Sequence, residues 1–180
     1  MDEIEIKSAD DGILVASSRV REEWIDINGH MNVAYYVLAF DFGVDALWHH
    51  VGITDDYIRD RQLSTFAVDA HIGYRAELKQ DDPYRIVTQV LAIDEKRLHQ
   101  CQHMYHAEEG FLAATAEWMN LHVDLSTRRV SPFPSDILDN FVTVAKNQPQ
   151  QAMPGDVVAT LKIAKPIFAV AGYPTGDQEQ

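Results

Sequence analysis

Trp24-Ile25-Asp26-Ile27-Asn28-Gly29-His30-Met31-Asn32-Val33-Ala34-Tyr35-Tyr36 decides how the rest of the chain is read. Between Asp26 and Asn32 it gathers a carboxylate, two amides, a glycine and an imidazole. A nearly continuous apolar run follows, which reads as a buried helix. Backbone N–H groups and the positive end of a helix dipole can face a developing oxyanion, and a glycine lets them come close. A polar turn of this make-up at a helix mouth suits acyl transfer.

Outward from that turn the periodicity changes twice. From Val33 to Val51 the apolar positions Val33, Val37, Phe40, Val44, Leu47 and Val51 recur at spacings of three and four, the helical period. Asn32 is a natural N-cap and Gly52 a natural stop. Ala34, Tyr36, Leu38, Phe42 and Trp48 spread apolar surface round the remaining circumference, so this helix is expected to be buried nearly all round. Residues 12–21 read as a first strand. After the helix the period becomes two, with Phe66, Val68, Ala70, Ile72 and Tyr74 forming one row of a half-buried strand. Turns at Asp81-Asp82-Pro83, Asp94-Glu95-Lys96 and Glu108-Glu109-Gly110 then separate strands over 84–94, 97–106 and 111–124. Strands in meander order after one greasy helix predict an α+β fold, a long antiparallel sheet curved around that helix. Residues 1–134 are read as this domain and 135–180 as a C-terminal extension, with a helix over 136–146, a polar linker over 147–151 and a strand over 157–163.

Bulk properties narrow the classes. The chain has 180 residues, 46% hydrophobic and 24% charged, ordinary for one soluble domain. Its net charge of -13 disfavours nucleic acid. A single cysteine, Cys101, excludes an internal disulfide framework and fits a reducing cytosol. The acidic start lacks a signal-peptide pattern, and no apolar run reaches the roughly 20 residues that span a bilayer. A cytoplasmic location without membrane association is expected.

Asp-x-Asn-Gly-His-Met-Asn followed by Tyr-Tyr resembles the signature of hot-dog-fold acyl-CoA thioesterases, the 4-hydroxybenzoyl-CoA thioesterase-like superfamily. The likeness covers roughly residues 13–134 and departs from many relatives at Val33, where they carry a second Asn. It implies the hot-dog fold, a homodimer or dimer of dimers with active sites between subunits, and no cofactor beyond the coenzyme A carried by the substrate. Three segments also look like the betainyl-CoA thioesterases of carnitine breakdown, which would release glycine betaine and coenzyme A. They run from Glu23 to Tyr36, from Asp94 to His99 and from Glu117 to Asp124.

A thioester needs an attacking oxygen, a donor to its carbonyl and a held geometry, because its thiol already leaves well. Asp26 can supply the first, as nucleophile or as the base that activates water. Backbone N–H groups of Gly29, His30 and Met31 are candidate carbonyl donors, and Asn28 and Asn32 candidate orienters. His30 can polarise the carbonyl, act as acid or base, or hold Asp26. Glu77 is the reserve carboxylate. Trp24, Tyr36, Tyr74 and Trp118, with the mid-strand carboxylate Glu117, are candidates to line the acyl pocket, where aromatic faces can cage a quaternary ammonium. Arg75, Lys79, Arg97 and Arg128, with Lys96 and Arg129, are candidates for coenzyme A. Capping carboxylates and solvated cations are the bland alternatives for many of these residues. His99, Cys101 and His103 share a strand face but do not complete a zinc site, so no metal is assigned. Asp45 and His49 are expected to pair along the helix. Another short-chain or aromatic acyl-CoA thioesterase, a hydratase and a non-catalytic acyl-CoA-binding module are the alternatives. The short Asp26-x-x-x-His30 spacing argues against the hydratase.

Overall fold

A computed structural model describes residues 7–9, 12–155, 157 and 161–175. Its elements are β1 (Lys7–Ala9), β2 (Gly12–Arg19), a 3-10 turn (Glu22–Trp24), α1 (Val33–Val51), α2 (Asp55–Arg61), β3 (Leu63–Tyr74), β4 (Pro83–Ile93), β5 (Arg97–His106), β6 (Leu112–Asp124), β7 (Arg129–Val130), α3 (Ser135–Asn147) and β8 (Phe168–Ala169). The strands form one antiparallel sheet in the order β1-β2-β4-β5-β6-β3, with β7 on β6 and β8 on β4. One face of the sheet carries α1.

α1 begins and ends where its sequence dictates. The Asn32 side chain accepts the Ala34 N–H at 3.0 Å, and Gly52 ends the helix. Ala39, Phe40, Leu47 and Val51 are fully buried beneath it, each large side chain contributing roughly 1.5–3 kcal/mol. The opposite stripe, Ala34, Leu38, Asp41, Asp45 and His49, is exposed, so α1 is sunk on its sheet side and open on its back. His49 reaches Asp55 at 3.9 Å, and its charge also acts on Asp45, one turn back, without a direct ion pair to it.

Gly43 sets how closely α1 lies on the sheet. A Cβ there would fall 2.8 Å from Gln102 Nε2, 3.1 Å from Val15 and 3.3 Å from Ile86. Gln102 cannot swing away freely, since its amide donates to the Phe40 carbonyl at 3.2 Å and accepts the Trp118 indole N–H at 2.9 Å.

Three departures from the sequence reading have physical causes. β3 carries a bulge between Ala67 and Asp69, which flips its faces. Phe66 therefore lies beside Leu121 on the outer face, whereas Ala70, Ile72 and Tyr74 share the helix side with Trp118, Ala116 and Ala114. α2 was not expected because only Tyr57 of its residues is buried, which leaves no periodic signal. Finally, Val157 and 161–163 belong to no strand, and 158–160 lie outside the described residues. The tail strand is instead β8, paired with Ala92 and Ile93.

The C-terminal part covers both faces. α3 packs Phe141 edge-on against Trp48 of α1 at 5.4 Å. The tail then crosses to the outer face. β2 pairs with β4 only as far as Thr88, and β8 takes over at Ala92. In the gap, the Gln148 amide accepts from the Val90 N–H and donates to its carbonyl, both at 2.9 Å, replacing the missing strand.

Gly43→Ala gains up to about 1 kcal/mol of helix propensity but meets a pinned Gln102, at an overpacking cost of about 1–3 kcal/mol. Urea unfolding should therefore show a net loss of up to about 2 kcal/mol rather than the gain that propensity alone gives. His122 is fully buried, with Nε2 against the Tyr57 hydroxyl at 2.9 Å and Nδ1 at the Ser131 carbonyl at 3.0 Å. Burial holds its pKa below the usual value, although nearby backbone carbonyls oppose this. The unfolded chain then takes up the proton first as pH falls. Stability from this group is complete above about pH 6.5 and is lost as pH falls through the lower folded value. His122→Gln should flatten that decline in denaturation midpoints measured across this window.

Candidate active site

The turn from Ile25 to Met31 is a small hairpin. Ile25 and Met31 bridge antiparallel, the Asp26 N–H donates to the His30 carbonyl at 3.0 Å, and the Asn32 N–H donates to the Trp24 carbonyl at 2.9 Å. Within it the Asp26 carboxylate accepts the Asn28 N–H at 2.8 Å, an Asx-type turn. Gly29 takes φ 82°, a left-handed conformation that disfavours other residues. No heavy atom lies within 4 Å of where its Cβ would sit, so in one protomer backbone angle rather than crowding requires the glycine. Ile27 at the tip is fully exposed.

The mouth of α1 is tied to the connection between β3 and β4. The Met31 N–H donates to the Leu78 carbonyl at 2.7 Å, and the Tyr36 hydroxyl accepts the Leu78 N–H at 3.0 Å. This places Glu77 beside the turn, 3.9 Å from His30 Nε2. His30 Nδ1 lies 3.3 Å from the Met31 carbonyl. In the tautomer that satisfies this carbonyl, Nδ1 carries the proton and Nε2 faces Glu77. Asp26, His30 and Glu77 are thus gathered at one helix mouth, with Asp26 and His30 half-buried.

Two of the three candidate amide donors are already engaged. Gly29 N–H is spent on the Asp26 carbonyl at 3.0 Å, and Met31 N–H on Leu78. Among the described residues, His30 N–H is the one of the three without such a bond. Asn32 acts as the helix cap, and Asn28 presents its side chain at the exposed surface.

The expected aromatic cage does not assemble in the protomer. Tyr36 and Tyr74 do meet, edge to face at 5.4 Å, with Tyr74 half-exposed. Trp24 is core, stacked on Tyr35 at 5.5 Å and with the Arg21 guanidinium 5.1 Å from its ring. Trp118 is also core, bonded to Gln102 beneath α1. Glu117 points the other way, because neighbours in a strand face opposite sides. On the outer face its Oε1 meets His99 Nε2 at 2.8 Å, and His99 Nδ1 meets the Tyr173 hydroxyl at 2.8 Å. Among the described residues no group of three or more His, Cys, Asp or Glu is placed to hold a metal.

The candidate cations fall into two groups. Arg75 and Lys79 lie in the connection beside Glu77, near the start of β6, where the Arg75 N–H reaches the Ala113 carbonyl. Arg97 and Arg128 lie at the other end of the strands. Arg97 is locked to Asp94 by two bonds of 2.8 and 2.6 Å, and Arg128 covers the Phe66 ring at 5.1 Å. A cavity of about 420 Å³ opens at that far end, lined by Asp94, Glu95, Lys96, Arg97, Leu121, Val130, Lys165 and Ile167. Lys165 and Ile167 left no mark in the sequence reading, because their place depends on pairing by β8.

Residues 20–141 match the pattern of the thioesterase-like superfamily. The chain belongs to this superfamily. The hot-dog architecture is shared with its solved relatives. Betainyl-CoA thioesterase of Pseudomonas aeruginosa is 36% identical over 128 residues, covering 71% of this chain and 80% of that protein. L-Carnitine dehydrogenase/betainyl-CoA thioesterase of Rhizobium meliloti is 31% identical over 132 residues, and this chain spans only 26% of its length. The structure of hypothetical protein SAV2348 from Staphylococcus aureus, in complex with CoA, aligns with TM-score 0.76 and 29% identity, covering 89% of this chain and 100% of that one. The superfamily match includes the Asp26 turn and Glu77, and ends before the outer-face tail. Among the described residues no helix is long and apolar enough to cross a membrane.

The geometry makes His30 a dependent of its backbone contacts. Met31→Pro would delete the N–H that binds Leu78. It should displace the turn and lower thermal stability by about 1–3 kcal/mol, read by calorimetry.

Proposed function

We propose that the protein is a homodimeric acyl-CoA thioesterase that hydrolyses betainyl-CoA to glycine betaine and coenzyme A. The observation that carries this is the Asp26 carboxylate, held by its own turn at the mouth of α1, with His30 across that turn and Glu77 3.9 Å from the His30 ring. The superfamily match and the 36% identity to a betainyl-CoA thioesterase support it.

In this reading Asp26 delivers the attacking oxygen to the thioester carbon. As base it takes a proton from water, and the hydroxide adds to the carbonyl. As nucleophile it forms a mixed anhydride that water then cleaves. Either way the C–S bond breaks, the thiolate leaves as coenzyme A, and one water is consumed. The His30 N–H, at the positive end of α1, is the donor aimed at the carbonyl oxygen. The exposed ring of Tyr74, with the Glu77 carboxylate nearby, offers the surface for a trimethylammonium group.

β3 supports the dimer. Its twelve residues form the sheet's outermost strand, and residues 66–71 are exposed on both faces, with Phe66 and Val68 among them. A long apolar edge of that kind invites pairing with a second copy. Tyr74, Val33 and Leu38 continue the exposed apolar surface onto α1.

Thiol release from a panel of acyl-CoAs tests the activity. Asp26→Asn should lower kcat/KM for betainyl-CoA by about 10²-fold or more; an unchanged rate assigns the chemistry elsewhere. 3,3-Dimethylbutyryl-CoA has the shape of the betainyl substrate without its charge. Wild type should prefer betainyl-CoA by about tenfold or more, and Tyr74→Ala should erase most of that preference. Light scattering should give a dimer that Val68→Lys converts to an inactive monomer, whereas a monomeric, active wild type would contradict the pairing.

A further inference from the structure

The tail from Gln148 onward is fastened to the outer face by more contacts than a simple cover needs. Gln89 donates to the carbonyls of Gln150 and Ala152 at 3.2 and 2.8 Å, Ile167 N–H donates to the Ile93 carbonyl at 2.7 Å, and Val170 N–H donates to the Leu91 carbonyl at 2.9 Å. Beneath it runs the chain Glu117–His99–Tyr173, whose Tyr173 hydroxyl also accepts the Ile163 N–H at 2.8 Å. Glu117 is 3% exposed, and its second oxygen has no partner among the described residues. Burying a carboxylate this way lowers stability. What the arrangement secures is the direction of His99, hence of Tyr173, hence of the tail between Ile163 and Tyr173.

That length of tail carries Lys165 and Ile167 into the cavity of about 420 Å³. Three apolar side chains there, Leu121, Val130 and Ile167, form a face suited to a flat base, and Val130 and Ile167 are about half-exposed. Lys96 and Lys165 flank it, and neither is in an ion pair among the described residues. Asp94 also lines the cavity but is held by Arg97 and by the Lys96 and Arg97 N–H groups, while Glu95 is exposed.

We propose that this tail is a substrate-binding element, with Lys165 and Ile167 forming one wall of a slot for the adenosine 3′,5′-bisphosphate end of the thioester. Tyr173 is a positioning residue acting through the tail. The proposal rests on the acyl-CoA reading above and on its dimer. Within one protomer the slot, at Leu121, is eight residues along β6 from Ala113, whose carbonyl holds the Arg75–Ala76 backbone next to Glu77, or about 26 Å at strand spacing. Antiparallel pairing of β3 with its copy reverses strand direction. The slot of one subunit then lies at the same end of the joined sheet as the Asp26 turn of its partner. A thioester can extend from one to the other. The superfamily match ends at residue 141, so these two side chains lie outside what it covers.

The test uses the full-length chain, with betainyl-CoA compared to S-betainyl-pantetheine, which lacks the nucleotide. Lys165→Glu should raise KM for betainyl-CoA about five- to tenfold with kcat unchanged. The wild-type preference for the CoA form over the pantetheine form should fall by the same factor. Lys165→Arg should restore it, and Tyr173→Phe should lower it in part. An undiminished preference in Lys165→Glu overturns the proposal while leaving hydrolysis intact. Calorimetric binding of adenosine 3′,5′-bisphosphate decides the matter without turnover. Binding by wild type that weakens five- to tenfold in Lys165→Glu supports the slot even for a protein that cleaves no thioester. No binding, equal binding by both, or equal affinity for inorganic phosphate alone overturns it.

Discussion

The pair of bonds from the helix mouth to Leu78, its carbonyl taking the Met31 N–H and its N–H reaching the Tyr36 hydroxyl, fixes one end of α1 to the sheet's connecting loop. Everything assigned to the site depends on this tie. It sets the Asp26 hairpin so that His30 Nε2 lies 3.9 Å from Glu77, and it commits the Met31 N–H to structure, as the hairpin itself commits that of Gly29. Tyr36 is the costly partner. Burial pushes its pKa up, and nearby Glu77 adds to that push, so the hydroxyl stays protonated and fit for hydrogen bonding. The tie therefore does not titrate in the neutral range.

The other end of the molecule is organised by a different constraint, the incomplete pairing of β4. β2 leaves it at Thr88, and a backbone at full burial cannot stay unpaired. Gln148 and β8 supply the missing partners, and in doing so they draw the tail across the outer face. Gly43 has a comparable role under α1, where its missing side chain lets a polar residue, Gln102, sit between helix and sheet. Both cases join a local backbone or side-chain requirement to a feature at long range.

How far the sequence could be read depends on whether a signal is local. α1 was legible because its period, its Asn32 cap and its Gly52 stop coincide. The strands were legible because turn residues separate them. The bulge in β3 was not, since one extra residue reverses every later side chain without changing composition. The aromatic cage does not form for a related reason: Trp24 touches the motif but its ring is sunk in the core on Tyr35, and Trp118 is held under α1 by Gln102. One part of that error was avoidable. Glu117 and Trp118 are adjacent in a strand, so alternation alone forbids them from lining the same pocket. The place of Lys165 was beyond reach, because it follows from tertiary pairing by a two-residue strand. The turn itself, Asp26 to Asn32, came through with its residues together and its cap in place.

A crystal structure with a non-hydrolysable thioether analogue of betainyl-CoA tests the central claim most directly, by the distance from the Asp26 carboxylate to the carbonyl carbon. The account predicts an Oδ atom, or a water bonded to it, within about 3.5 Å of that carbon. A carbonyl resting beyond reach of Asp26 and its water, with another carboxylate in contact, would contradict it.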